Sequence, residues 1–492
     1  MKETLLRMWN EKEQRRRFLL VALGALTGLI FFYSFIYNDI LETMRVGISL
    51  WDYVFSGQIR AFYGGRWIMN PTAYTKEVQA VYDFPIYIIF AIWNFPLWLL
   101  EHFAKVDIFT SFWCLAWGKT LLLVSVILVN KALYRLCRTL DMTKDRAELV
   151  CLLFLTSNFF ISSVVVMCAY DIIALFFAIV GLDYYFKGDM KKFVMCFMCS
   201  IPLKFFSLLI YLPLILLKEK RVLKIVEYMF LSILPILVFR FLIPCAVEAG
   251  ISNNVSWSIV NSIKSTNLSN LAWIYVFSYE TGMALGRVAL PIVGWMILYL
   301  GCYIVHIEDE GKCKQWGIYI CFITYAILFV CCFSHPYWIL VMMPFIVIII
   351  GQNIEIAFAN TITEMILTWG MLLAQVFKFP WCFGSALVYG MFWPKILGEM
   401  PSFLPVTVMT IYTTLTGSEG SQGYLIDIGN SVFMAGIIVF AIINNPLFVK
   451  SKMIQQYGES IPRWVWILRI LSDIGVAVLP IALYGIGLWH YL

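Results

Sequence analysis

Apolar runs, most of them roughly 18 residues or more and so long enough to cross ~30 Å of hydrocarbon, recur along the whole 492-residue chain. They fall at 18–37, 108–129, 149–166, 171–186, 193–217, 222–243, 288–305, 316–333, 337–350, 361–377 and 424–443, with a last one at the C-terminal end. Short polar or basic segments separate them. No stretch of 100 residues is free of such runs, so no separate soluble domain fits. The pattern predicts an all-α, polytopic transmembrane bundle of about 11–13 spans with structured outer loops.

Charge orients the spans. Lys12, Arg15, Arg16 and Arg17 precede the first run, which places the N-terminus in the cytoplasm and carries the C-terminus outside. That first run lacks a small-residue cleavage site, so it reads as a retained span. A polar, aromatic-rich segment follows to about residue 83. The run at 85–103 is interrupted by Asn94-Phe95-Pro96. If it lies in the outer interface, the basic loop with Lys131, Arg135, Arg138, Lys144 and Arg146 falls inside, as the charge rule prefers. Residues 38–107 then form one outer region with amphipathic helices. The run at 193–217 is basic at both ends (Lys191, Lys192 and Lys218 to Arg221), which one span cannot satisfy. Two short helices meeting near Pro202-Leu203-Lys204 can. Lys450, Lys452, Arg463 and Arg469 mark a late inner loop.

Composition agrees with this: 61% of residues are hydrophobic and 13% charged. The net charge of +6 sits mostly in short loops, sets orientation, and implies no nucleic-acid partner. Most of the thirteen cysteines lie inside apolar runs, where a thiol behaves as a small hydrophobe. Cys196-x-x-Cys199 has redox spacing without a redox-domain context.

Soluble catalytic signatures are missing. There is no phosphate-cradling glycine loop and no nucleophile elbow, and the four histidines form no metal-spaced cluster. What remains is a set of ionisable groups at span ends: Asp39, Asp83, Asp171, Lys204, Arg240, Arg287 and His335, with Asp52 in the first outer segment. Charge near membrane depth is costly, so each is a functional candidate. Each also has a plainer reading. Arg240 and Arg287 can snorkel to the interface, His335 can be a turn residue before Pro336, and Asp171 can cap its helix. Lys204, between Pro202 and aromatic residues, calls for an anionic partner. Trp51, Trp67, Trp257 and Trp273 lie in outer segments, where aromatic residues belt the interface or offer flat faces for stacking. Asn254-Val-Ser256 and Asn267-Leu-Ser269 match glycosylation acceptors, which have meaning only in a cell that glycosylates them.

Several segments, in order, resemble the GT-C superfamily of polytopic transferases that use polyprenyl-phosphate-linked sugars. Asn38-Asp39 after the first span is similar to the acidic site of these enzymes. Gly47-Ile-Ser-Leu-Trp51-Asp52, with Gly57 and Tyr63, looks like the start of their first outer loop. Tyr82-Asp83-Phe84-Pro85-Ile86-Tyr87 resembles their Tyr-x-x-Pro-Pro-Leu-type segment, with one proline where the family has two. Tyr170-Asp171-Ile172, Lys204-Phe-Phe with Tyr211-Leu-Pro213-Leu, and Ser334-His335-Pro336-Tyr337-Trp338 are similar to later parts. The likeness covers residues 1–350, the expected catalytic module; residues 351–492 are expected to be a variable set of C-terminal helices.

The resemblance implies an integral, multi-pass protein, expected in a bacterial plasma membrane, that moves a sugar from a polyprenyl-phosphate donor to a carbohydrate, lipid or protein acceptor at the outer face. In that reading Asp39 is the general base and Asp83 orients the acceptor or pairs with a cation. Lys204, Arg240, Arg287 and His335 meet the donor phosphate, while Asp52 and Asp171 are further polar candidates. No metal and no cofactor are expected. Two rivals come from other classes. A lipid-linked-sugar flippase predicts internal repeats, and none is evident. A polysaccharide polymerase predicts a late outer loop rich in arginine, whereas the loop at 244–287 holds Arg287, Lys264 and few other cations.

Overall fold

The structure, a computed structural model, describes residues 23–69, 76–243, 278–280, 287–332, 334–399, 405–417, 422–447 and 461–491. Among the described residues the chain is helical almost throughout, and the two sheets are each a pair of antiparallel strands. In chain order the principal helices are α1 (Leu23–Phe32), α2 (Asn38–Phe55), α3 (Phe84–Trp93), α4 (Phe95–Ala104), α5 (Phe112–Thr139) and α6 (Lys144–Leu155). They continue with α7 (Asp171–Phe186), α8 (Met190–Leu203), α9 (Ser207–Lys218), α10 (Val222–Leu242) and α11 (Leu290–Ile304). The last are α12 (Glu310–Cys331), α13 (Met343–Gln352), α14 (Ala357–Lys378), α15 (Val408–Thr416), α16 (Gln422–Ile443) and α17 (Arg463–Tyr491).

Six helices, formed by α5, α10, α12, α14 with the turn before it, α16 and α17, are long and apolar enough to cross a membrane. Two bent pairs, α3 with α4 (64°) and α6 with Asn158–Val166 (45°), raise the number to eight. Among the described residues this is fewer than the 11–13 spans expected of the whole chain. Other expected crossings fall on shorter helices such as α9 and α11, and the one at 18–37 falls partly outside the described residues. At 1.5 Å per residue, a ten-residue helix covers about half of a ~30 Å hydrocarbon layer.

The breaks themselves follow the sequence. Asn94 ends α3, its side-chain amide donating to the Phe90 carbonyl at 2.9 Å, and Pro96 starts α4. Pro202 cannot donate to the α8 ladder, and Lys204 is extended (φ −152°, ψ 111°), so α8 stops there and α9 begins at Ser207. The break is stitched by Ser200, whose hydroxyl pairs with Ser207 at 2.7 Å. This is the two-helix arrangement that the basic flanks of 193–217 required.

Residues 38–69 and 76–107 are structured. Helix α2 buries Ile40, Leu41, Met44 and Ile48 and leaves Asp52 exposed. A hairpin follows, pairing Trp67–Met69 with Lys76–Val78. Gly47 lets α2 pack directly on α3, since a Cβ there would lie 2.6 Å from that of Phe90. A second close seam joins α14 and α16. A Cβ on Gly429 would meet the Ala374 nitrogen and Gly370 oxygen at 2.6 Å, and one on Gly436 would meet the Leu367 Cβ at 2.4 Å. Small residues at such a seam let helix backbones touch. Arg469, expected in an inner loop, instead lies inside α17 and is 2% exposed.

Candidate functional site

The acidic end of α2, the start of α7, the α8–α9 break and the turn after α12 meet at one place. Asp39 sits in the first turn of α2, half-buried. Its Oδ2 accepts a hydrogen bond from the Tyr337 hydroxyl at 2.6 Å. Tyr337 also lies under the His335 ring, the two stacked with centroids 5.7 Å apart at 13°.

Asp171 opens α7 but does not cap it: Tyr170 is the cap residue, and no side chain closes the helix. Its Oδ1 instead stands 2.7 Å from Lys204 Nζ, an ion pair without the alignment of a hydrogen bond. The two side chains are 2% and 16% exposed, so the anionic partner that the environment of Lys204 demanded is Asp171. The extended backbone at the helix break aims the lysine there. Its ammonium lies over the rings of Trp338 (5.4 Å) and Phe206 (5.6 Å), which adds cation–π attraction.

His335 shares this environment. Burial pushes its pKa below the ordinary value, with Asp39 and Asp171 acting against that shift and Lys204 adding to it. The imidazole is therefore neutral at pH 7 and can accept or donate one proton.

A second ion pair lies at the entry to α3. Arg240, near the end of α10, donates from Nε and Nη2 to Asp83 Oδ1 and Oδ2 at 2.9 and 3.1 Å. This is the fork-to-fork geometry that guanidinium and carboxylate favour. Tyr82 links the two pairs: it precedes Asp83 and packs edge-on against Tyr170, with centroids 5.5 Å apart. Two of the four groups expected to meet a phosphate, Lys204 and Arg240, are thus already matched to carboxylates.

An apolar recess of about 420 Å³ adjoins these groups, with Pro85, Phe177, Leu203, Pro235 and Phe239 in its walls. Pro85 follows Asp83 by two residues, and Leu203 and Phe239 immediately precede Lys204 and Arg240. The recess offers an amphipathic molecule an apolar berth next to paired cations.

Of the expected site residues, Asp39, Asp171, Lys204 and His335 therefore come together, with Asp83 and Arg240 beside them. Asp52 does not join. It lies near the other end of α2, where its Oδ1 accepts from Trp98 Nε1 at 2.8 Å. The cause is helix length: thirteen residues of α2 separate it from Asp39 by about 20 Å of rise. Arg287 begins a strand paired with Ser278–Glu280, and its side chain lies outside the described residues. So do Trp257, Trp273, Asn254 and Asn267. Trp51 donates to the Ala91 carbonyl at 2.9 Å, and Trp67 packs on Tyr53 and Phe62, so both serve the fold of this region. Among the described residues, no three His, Cys, Asp or Glu side chains gather as a metal site.

Sequence reasoning missed four buried charges: Lys119 in α5, Asp183 in α7, Glu364 in α14 and Arg469 in α17. The signal was present, because Lys119 and Glu364 each interrupt an apolar run, where a charge is costly. Lys119 Nζ donates to the carbonyls of Phe35 (2.6 Å) and Val165 (2.9 Å). These are freed where the chain breaks before α2 and where the π-helical stretch Ile161–Val166 ends. Tyr337, the partner of Asp39, was quoted in a motif but given no role.

No protein-family model, no curated protein and no solved structure matches the chain.

Proposed function

We propose that this chain is a membrane glycosyltransferase of GT-C type, moving a sugar from a polyprenyl-phosphate-linked donor to a hydroxyl acceptor at the outer membrane face. One observation carries the reading. A carboxylate, Asp39, and a lysine, Lys204, from distant parts of the chain converge on His335 beside an apolar recess and a broken helix.

The chemistry follows from the groups. Asp39 removes the proton of the acceptor hydroxyl as its oxygen attacks the anomeric carbon. The bond between that carbon and the phosphate oxygen breaks, and the phosphate leaves with the electron pair. The configuration inverts. Tyr337, donating to Oδ2, fixes the carboxylate so that its other oxygen is aimed at the acceptor.

The Lys204–Asp171 pair carries no net charge, so its pull on the donor's ground state is small. Its hydrogen-bond donation strengthens as charge builds on the leaving phosphate, which is where it lowers the barrier. The N-terminal end of α9, just after Lys204, adds a positive dipole. Arg240 supplies a second cation, and the apolar recess takes the first isoprenoid units of the donor.

The test uses the full chain in proteoliposomes with a polyprenyl-phosphate donor carrying a labelled sugar. Label appearing on a hydroxyl acceptor supports the reading. Labelled lipid crossing the bilayer with its sugar still attached would make the protein a flippase instead.

A further inference from the structure

We infer that a second cavity, of about 320 Å³ between α12, α14 and α16, binds an amphipathic molecule carrying a hydroxyl group. Its role as the acceptor's site rests on the transferase reading; its existence as a binding site does not.

The walls come from Phe329 and Val330 of α12, Met371 and Gln375 of α14, and Phe433 and Met434 of α16. The seam of small residues between α14 and α16 fixes the spacing of two of these walls, so the space is not a loose gap. The two methionines give it an adaptable apolar surface.

Gln375 decides what the cavity takes. The residue is 9% exposed, and its Nε2 donates to the Pro336 carbonyl at 3.4 Å. A carbonyl oxygen only accepts, so this contact fixes which end of the amide is which. Oε1 is then left buried and accepts no hydrogen bond from the protein. Buried polar atoms are almost always paired, and one that is not calls for a partner. The partner that fits an acceptor is a donor. In a cavity whose side chains are mostly apolar, with Ser334, His335, Lys378 and the exposed Asn430 as its other polar lining, we assign it to the hydroxyl of an amphiphile.

The polar end of the cavity agrees. Ser334 and His335 line it, and the exposed Lys378 stands there too, where a headgroup would emerge. His335 also belongs to the site already described, through its stack on Tyr337 and the hydrogen bond from Tyr337 to Asp39. One histidine is thus common to the cavity and to the general base.

The experiment uses the full chain in phosphatidylcholine nanodiscs. The probes are a C12 alcohol bearing a photoreactive diazirine and the methyl ether of the same compound, with adducts mapped by mass spectrometry. The alcohol is expected to label Met371, Met434 or their neighbours, and the ether about tenfold less, the worth of roughly one hydrogen bond. Gln375→Leu should remove the difference between the probes while keeping the labelling. Val330→Phe, which fills the cavity, should lose the adducts.

Equal labelling by both probes in the wild type would overturn the proposal. So would adducts confined to lipid-facing positions and indifferent to Val330→Phe. The acceptor role has its own readout: Val330→Phe should also reduce sugar transfer. Intact alcohol labelling with transfer unchanged in Val330→Phe would overturn that role. Intact labelling with no transfer by any variant would defeat the transferase reading and leave the binding site standing.

Discussion

Arg469 and Glu364 form the most deeply buried ion pair among the described residues, with side chains 2% and 1% exposed. Arg469 Nη1 pairs with Glu364 Oε2, its Nε donates to Thr156 Oγ1 at 3.0 Å, and its Nη2 to the Leu153 carbonyl at 2.9 Å. Ser157 donates to the other Glu364 oxygen at 2.8 Å. One guanidinium thus ties α17 to α14 and to the end of α6. Replacing Arg469 by Met leaves Glu364 buried with a single hydroxyl donor and strands the Leu153 carbonyl. Removing one partner of such a pair costs about 3–5 kcal/mol. Replacing both with apolar side chains of similar volume removes the stranded charge, so Arg469→Met with Glu364→Met should cost less than the worse single change. The assay is denaturant unfolding in mixed micelles followed by circular dichroism, run as a double-mutant cycle. An Arg469→Met variant within about 1 kcal/mol of wild type, or single effects that simply add in the double variant, would refute the reasoning.

Lys119→Met should destabilise the chain by about 1–3 kcal/mol for each carbonyl it leaves unpaired, at Phe35 and Val165, read in the same unfolding assay. Gly429→Leu forces α16 off α14 and should cost about 1–3 kcal/mol or more, whereas Gly475→Ala, with open space at its Cβ, should be neutral or better. His335 gives a pH signature. Its pKa is depressed by burial in the folded chain, so its contribution to stability is full above the unfolded value of about 6.5 and is lost as pH falls through the folded one. His335→Gln should flatten the fall in unfolding midpoint between pH 7 and 5; an unchanged slope would assign the effect to other groups.

The hydrophobic pattern carried much of the fold, and charge carried the rest. The break at Lys204 was legible because both flanks of 193–217 are basic, and the bend at Asn94 because Asn-Phe-Pro interrupts an apolar run. The span count was not legible, since a run of apolar residues reads the same whether it forms one helix or two short ones. Site residues were found as lone charges at span ends, but their pairing was hidden. Asp171 to Lys204 and Asp83 to Arg240 are matches made by tertiary packing, 33 and 157 residues apart in sequence. Asp52 failed because a position in the right segment says nothing about which end of the helix faces the site. Arg469 was read as a loop cation by the charge rule, which cannot tell a basic residue at a span end from one held inside by a buried glutamate.

The central claim is that Asp39 acts as a base and Lys204 as the partner of a leaving phosphate. The most direct measurement is the rate of labelled-sugar transfer from a polyprenyl-phosphate donor by wild type, Asp39→Asn and Lys204→Ala at matched protein levels. A Tyr337→Phe variant serves as an intermediate case. The account predicts a loss of about 10²–10⁴-fold in Asp39→Asn, about 10²–10³-fold in Lys204→Ala, and a smaller loss in Tyr337→Phe. Transfer by Asp39→Asn at close to the wild-type rate would contradict it, and would move the base to another carboxylate, with Asp83 next in line.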